Sequence, residues 1–80
     1  MNILYSKASL KYLSRLEKDQ RRRIAEGIDE LPGQGDIKKM RGRSIQNLYR
    51  LRVGKYRVLF IWEPEIIEIL DVDTRGDIYK

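Results

Sequence analysis

The spacing of apolar positions changes once along the chain, from a helical period to an alternating one. The opening run Asn2-Ile3-Leu4-Tyr5 is short, partly β-branched and bounded by Ser6, which predicts a first strand. Ser6 is placed to cap a helix, its hydroxyl accepting an early backbone N–H. Leu10, Leu13 and Leu16 then recur among polar residues and predict an amphipathic helix from about residue 7 to residue 18. Asp19 is a second cap candidate. Beyond it Ile24, Ile28 and Leu31 fall on one face, with Ala25 beside them. Arg21, Arg22, Arg23, Glu26 and Glu30 are mostly directed outward. Pro32-Gly33 ends this second helix, so two helices joined at Asp19 make an αα-hairpin.

Gly33-Gln34-Gly35-Asp36 reads as a flexible connector and Lys38-Lys39-Met40-Arg41-Gly42 as a basic loop. Strand-like alternation follows. Residues 48–53 predict a strand, and Gly54-Lys55 a two-residue turn with glycine first, the pattern of a type II′ turn. Residues 56–62 predict the return strand. Pro64 marks the next turn, and residues 66–72 a third strand of the meander. The predicted architecture is one α+β domain over residues 1–80, in the order β-α-α-β-β-β. The helical hairpin lies on one face of a mainly antiparallel sheet.

Composition narrows the chemistry. Eighty residues allow one compact core and exclude large cofactor folds. The absence of cysteine removes disulfides, thiolate zinc sites and cysteine nucleophiles, and the absence of histidine removes imidazole catalysis and imidazole metal sites. No signal-peptide core and no apolar run of about 18 residues is seen, so a cytoplasmic protein without a membrane segment is expected. The net charge of +5 points to an anionic partner. That charge is concentrated. Residues 37–62 hold no Asp or Glu but eight cations, Lys38, Lys39, Arg41, Arg43, Arg50, Arg52, Lys55 and Arg57, whereas the rest of the chain is net negative.

A turn at Gly54-Lys55 fixes the register of the hairpin. Val53 then pairs with Tyr56, Arg52 with Arg57 and Leu51 with Val58. Side chains alternate across a strand, so Leu51, Val53, Tyr56, Val58, Phe60 and Trp62 share an apolar face that takes the helices. Arg50, Arg52 and Arg57 share the other, with Leu59 and Ile61 behind them. Like charges directly opposite one another destabilise a sheet. Either carboxylates such as Glu68, Asp71 or Asp73 neutralise these arginines, or the arginines form a phosphate clamp, since guanidinium forks match phosphate oxygens in bidentate fashion. Tyr49, Tyr56 and Tyr79 are candidate stacking surfaces; Tyr56 fits a core position better, and Tyr79, near the chain end, fits a functional one.

The run Leu48-Tyr49-Arg50-Leu51-Arg52-Val53-Gly54-Lys55-Tyr56-Arg57-Val58-Leu59-Phe60 resembles the central hairpin of the RelE/ParE toxin superfamily of bacterial and archaeal toxin–antitoxin systems. Lys39-Met40-Arg41-Gly42 resembles its basic loop, and Arg75-Gly76-Asp77-Ile78-Tyr79-Lys80 its ending. The resemblance spans nearly the whole chain. It implies a toxin neutralised by a cognate antitoxin. In the RelE branch it implies ribosome-dependent mRNA cleavage, in which a ribose 2′-OH attacks the adjacent phosphate and leaves a 2′,3′-cyclic phosphate, with no metal or organic cofactor. In the ParE branch it implies inhibition of DNA gyrase. A third possibility is a degenerate member that binds antitoxin alone, with operator DNA contacted only as the complex.

By position, Arg50 and Arg52 match the family's paired basic strand residues, Arg57 its phosphate-binding arginine and Tyr79 its stacking tyrosine. Arg75 is the candidate for the acid-side arginine, whose counted position falls on Asp73. Lys38, Lys39, Arg41, Arg43, Lys55 and Lys80 complete the expected RNA-binding set, directed at rRNA and mRNA. The strand pair is lysine in the best-known RelE branch and arginine here. Arginine stays protonated, so it makes a good clamp and a poor base.

Overall fold

The computed structural model describes residues 2–41 and 45–74. Among these, the order is β1 (Asn2–Tyr5), α1 (Lys7–Ser14), α2 (Lys18–Asp29), β2 (Asp36–Lys39), β3 (Leu48–Val53), β4 (Tyr56–Glu63) and β5 (Ile66–Asp73). The five strands form one sheet in the order β1-β5-β4-β3-β2. The pairings β2–β3, β3–β4 and β4–β5 are antiparallel, whereas β1 lies parallel to β5, so the sheet is mixed.

Four strands follow the helices, where the sequence predicts three. The addition is β2, read above as connector and basic loop. Its sequence Asp-Ile-Lys-Lys carries one apolar side chain, too few to show alternation. It is an edge strand, and charged residues suit an edge by discouraging further pairing.

Ser6 caps α1 as expected, its Oγ accepting from Ser9 N–H at 3.0 Å. The helix stops at Ser14, four residues short of the predicted end. Arg15 N–H and Leu16 N–H close tight turns onto the carbonyls of Tyr12 and Leu13, both at 3.1 Å. A leucine spacing of three suits such turns as well as it suits an α-helix. The cap of α2 is Glu17, not Asp19; Asp19 lies in the first turn and pairs with Arg22 at 3.2 Å. A carboxylate there favours the positive end of the helix dipole.

Leu13 of α1 and Ile24 and Ile28 of α2 pack on Leu51, Tyr56, Val58, Phe60, Ile67, Ile69 and Val72 of the sheet. The predicted apolar face is therefore the core face, with Val53 and Trp62 partly buried at its margin. The hairpin register is the expected one, Val53 opposite Tyr56 and Arg52 opposite Arg57. Gly54 has φ +57°, and Lys55 is not in the positive-φ region, the pattern a type II′ turn requires.

A β-bulge decides what the arginines meet. Phe60 pairs with Ile69 but Leu59 pairs with Asp71, so Leu70 is an extra residue on β5. Strict alternation from Ile67 and Ile69 would turn Asp71 and Asp73 toward the core. The bulge resets it, burying Val72 and bringing Asp71 and Asp73 to the opposite face. Ser6 secures this irregularity: its Oγ donates to the Leu70 carbonyl at 2.8 Å and its N–H to Ile69 O at 2.9 Å. One hydroxyl thus serves a helix start and a bulge. Ser6→Ala is expected to destabilise the fold by about 1–3 kcal/mol, a lost cap plus an unsatisfied carbonyl. Urea unfolding of the two proteins measures it.

Candidate functional site

Cross-strand pairing arranges the face away from the helices in rows. One row runs Asp36–Arg52–Arg57–Asp73 across β2, β3, β4 and β5; the next runs Lys38–Arg50–Leu59–Asp71. The two central arginines of the first row are thus flanked by an aspartate at each end. Further along, Leu48, Ile61, Glu68 and Leu4 make a mostly apolar row.

Lys38, Lys39, Met40, Arg41, Arg50, Arg52 and Arg57 line one open groove of about 420 Å³. Its floor comes from β3 and β4, and its wall from β2 and the residues after it. Five of the cations expected from the sequence, Lys38, Arg41, Arg50, Arg52 and Arg57, therefore meet in one place, whereas Lys39 at the margin pairs with Tyr49 and turns its Nζ to that ring, 5.9 Å from the centroid. Strand β2 explains the convergence, since its register sets Lys38 beside Arg50.

The carboxylate alternative is realised in part. Arg57 Nη2 donates to Asp73 Oδ2 at 3.3 Å, with side-chain exposures of only 10% and 16%. Arg50 Nη2 lies 3.7 Å from Asp36 Oδ1, a more exposed and weaker pair. Asp36 was not expected as a partner; its i, i+2 spacing from Lys38 is the signal that places it on the arginine face. The aspartates do not saturate the guanidinium groups. Among the described residues, Arg57 Nε and Arg50 Nη1 are buried without a hydrogen-bond partner. An orphaned buried donor is costly, and such groups ordinarily find a partner in protein, water or ligand. Arg57 itself is 8% exposed, so it is part of the structure as well as of the groove.

Other expected site residues lie elsewhere. Lys55 sits at the hairpin tip with its Nζ 5.6 Å from the Tyr56 ring, beside a separate groove lined also by Gln20, Arg23 and Val53. Tyr56 is core. Tyr49 is on the helix-side face, stacked on Phe60 with centroids 5.8 Å apart and edge-on to Trp62 at 5.1 Å, so it does not face the arginines. Arg43, Arg75, Tyr79 and Lys80 lie outside the described residues. Burial, then the neighbouring Tyr56 and Asp73, push the Tyr12 phenol above its ordinary value; burial and then Asp29 do the same for Tyr5. Both stay protonated at neutral pH. Among the described residues no group of three or more carboxylates is placed to hold a metal ion, and no helix is long and apolar enough to cross a membrane.

The family described as the ParE toxin of the type II toxin–antitoxin system, parDE, matches residues 3–79. The chain belongs to the RelE/ParE toxin superfamily. Among solved structures, this toxin-family chain is similar to the RelB–RelE antitoxin–toxin complex of Methanococcus jannaschii, at 33% identity and a TM-score of 0.75, covering 95% of this chain and 94% of that one. It is also similar to the archaeal RelE–RelB complex of Pyrococcus horikoshii OT3, at 31% identity and a TM-score of 0.73, covering 94% of each chain. YafQ from E. coli shares the fold, with a TM-score of 0.74 at 11% identity over 99% of this chain and 98% of that one. No curated protein sequence matches the chain closely enough to count as a relative.

Proposed function

We propose that this toxin is a RelE-type endoribonuclease that cleaves mRNA on the ribosome and is neutralised by a cognate antitoxin. The observation that carries the reading is the groove in which Arg50, Arg52 and Arg57 gather, two of them with buried donors still unpartnered among the described residues. Such a site suits a phosphate, and guanidinium donors fixed before the reaction suit the charge that grows on phosphorus when a 2′-OH attacks. Lys38 and Arg41 continue the positive surface along a phosphate backbone, which draws rRNA and mRNA alike. The two archaeal RelE relatives were solved with RelB antitoxins, which supports an antitoxin partner for this chain. An acidic, partly apolar segment that folds on binding suits the basic groove and the exposed Leu10 of α1.

The chemistry needs a base for the 2′-OH proton and an acid for the leaving 5′-oxygen. The arginines supply neither readily. Of the titratable candidates, Asp73 ends the arginine row, Tyr79 and Lys80 lie outside the described residues, and Lys55 is removed from the groove by its place at the hairpin tip. Tyr79 is proposed to stack on the substrate base. Tyr79→Ala is then expected to slow cleavage by about tenfold or more, and Tyr79→Phe to keep most of the rate. Equal losses in both variants would argue for the hydroxyl instead.

The test is purified toxin added to programmed ribosomes, with primer extension to map mRNA ends. A second reading, gyrase inhibition without nuclease chemistry, is favoured by the ParE description of the matching family. A supercoiling assay on the same preparation separates the two. Cut mRNA with unaffected supercoiling supports the nuclease; uncut mRNA with inhibited supercoiling replaces it.

A further inference from the structure

We infer that Asp36 and Asp73 set the charge selectivity of the groove, tuning it toward the singly charged phosphodiester inside a nucleic-acid chain and away from doubly charged phosphates at chain ends or free in solution. This rests on the reading of the groove as a phosphate site and adds what that site rejects.

Formal charges along Asp36–Arg52–Arg57–Asp73 cancel. The neighbouring row contributes Lys38 and Arg50 against Asp71, and the rim contributes Arg41. The groove therefore keeps a moderate positive field, well below what its five cations alone would give. The moderation is built in. Asp73 is held against Arg57 at 3.3 Å with both side chains nearly buried, and the bulge at Leu70 is what turns it to this face. Asp36 is held more loosely, 3.7 Å from Arg50 and 64% exposed.

Attraction to a positive field grows in proportion to ligand charge, whereas the desolvation cost of an ion grows roughly as its square. Weakening the field therefore penalises a dianion more than a monoanion. An internal phosphodiester carries one charge. A phosphate monoester carries nearly two at neutral pH. Without the two aspartates the groove would fill with free phosphate and mononucleotides; with them, an extended chain can win through its further contacts with Lys38 and Arg41.

The test compares the wild-type toxin with Asp73→Asn, Asp36→Asn and the double variant. The probes are a dinucleoside monophosphate lacking the first 2′-OH, so that it cannot be cleaved, and a nucleoside 3′-monophosphate. Both are titrated calorimetrically at low salt and pH 7.5, with thermal melts to confirm folding. Asp73→Asn is expected to tighten the dinucleotide about threefold and the monophosphate about tenfold, the second being near the square of the first. Asp36→Asn shifts both in the same order by less, and Glu63→Gln, at the far end of β4, shifts neither. Equal gains for the two probes overturn the inference. So does weaker binding of both by Asp73→Asn, which would make Asp73 a positioning residue for Arg57. A toxin that shows the unequal gains yet cuts no mRNA loses the nuclease reading alone. One that cuts mRNA without them loses this inference alone.

Discussion

Arg57→Ala is expected to cost both stability and activity, and the two losses are separable. Arg57 is 8% exposed and holds Asp73, itself 16% exposed at the side chain. Removing one partner of a buried pair weakens the hold on the other, at no more than about 3 kcal/mol here, the low end for such a pair because Asp73 keeps some contact with solvent and a further interaction of its own. For a domain of this size that is a fall in Tm of at most roughly 12–24 °C. Replacing Asp73 as well removes the carboxylate that lost its guanidinium, so Arg57→Ala/Asp73→Ala is expected to recover part of the loss. Cleavage should not recover with it. A fixed donor at a developing oxyanion is typically worth about 10²–10³ in rate, and the double variant still lacks it. Thermal melts and primer extension on programmed ribosomes for the two single variants and the double one give the cycle. Recovery of cleavage together with stability would show that Arg57 supports the fold and does not act on phosphate.

The expected register of the hairpin, and with it the convergence of Arg50, Arg52 and Arg57, was legible because one local feature fixed it. Gly54 followed by Lys55 leaves a single two-residue turn, and every cross-strand pair of β3 and β4 follows from that turn. The core face was legible from the alternation of Leu51, Tyr56, Val58 and Phe60. What failed to show were features whose signal is long-range. Strand β2 has one apolar residue and exists because β3 offers it an edge. The bulge at Leu70 has no sequence mark, since an inserted residue in a run of Ile, Leu and Val looks like any other. It reverses the facing of Asp71 and Asp73, so the identity of the arginines' partners could be named only as alternatives. Lys55 was grouped with the groove cations by charge, but a turn residue points along the hairpin and not across the sheet. Tyr49 fails as a stacking surface by parity: one residue from Arg50, it occupies the other face.

Arg52 offers the contrasting case to Arg57. It stands directly opposite Arg57, and like charges in that relation oppose folding. It also stands opposite Asp36 on its other side, and it is not without an interaction of its own. These contributions act against one another, and Arg52 is less buried than Arg57. Arg52→Gln keeps the length of the side chain and a donor while removing the charge. It is expected to leave stability within about 0.5 kcal/mol of wild type, the usual range for a surface site without a cavity or a stranded group. Cleavage is expected to fall about 10²-fold or more, because a neutral amide gives one short dipole where the phosphorane needs a cation. Arg52→Lys tests the fork separately. A lysine keeps the charge and loses the bidentate geometry, so an intermediate rate is expected. A residue that weakens the fold, or leaves it no better, and yet sharply raises the rate is the pattern expected of a site selected for function over stability. The measurement is urea unfolding beside single-turnover cleavage on ribosomes. If Arg52→Gln cuts mRNA at the wild-type rate while folding normally, Arg52 is outside the reacting site, and the clamp reduces to Arg50 and Arg57.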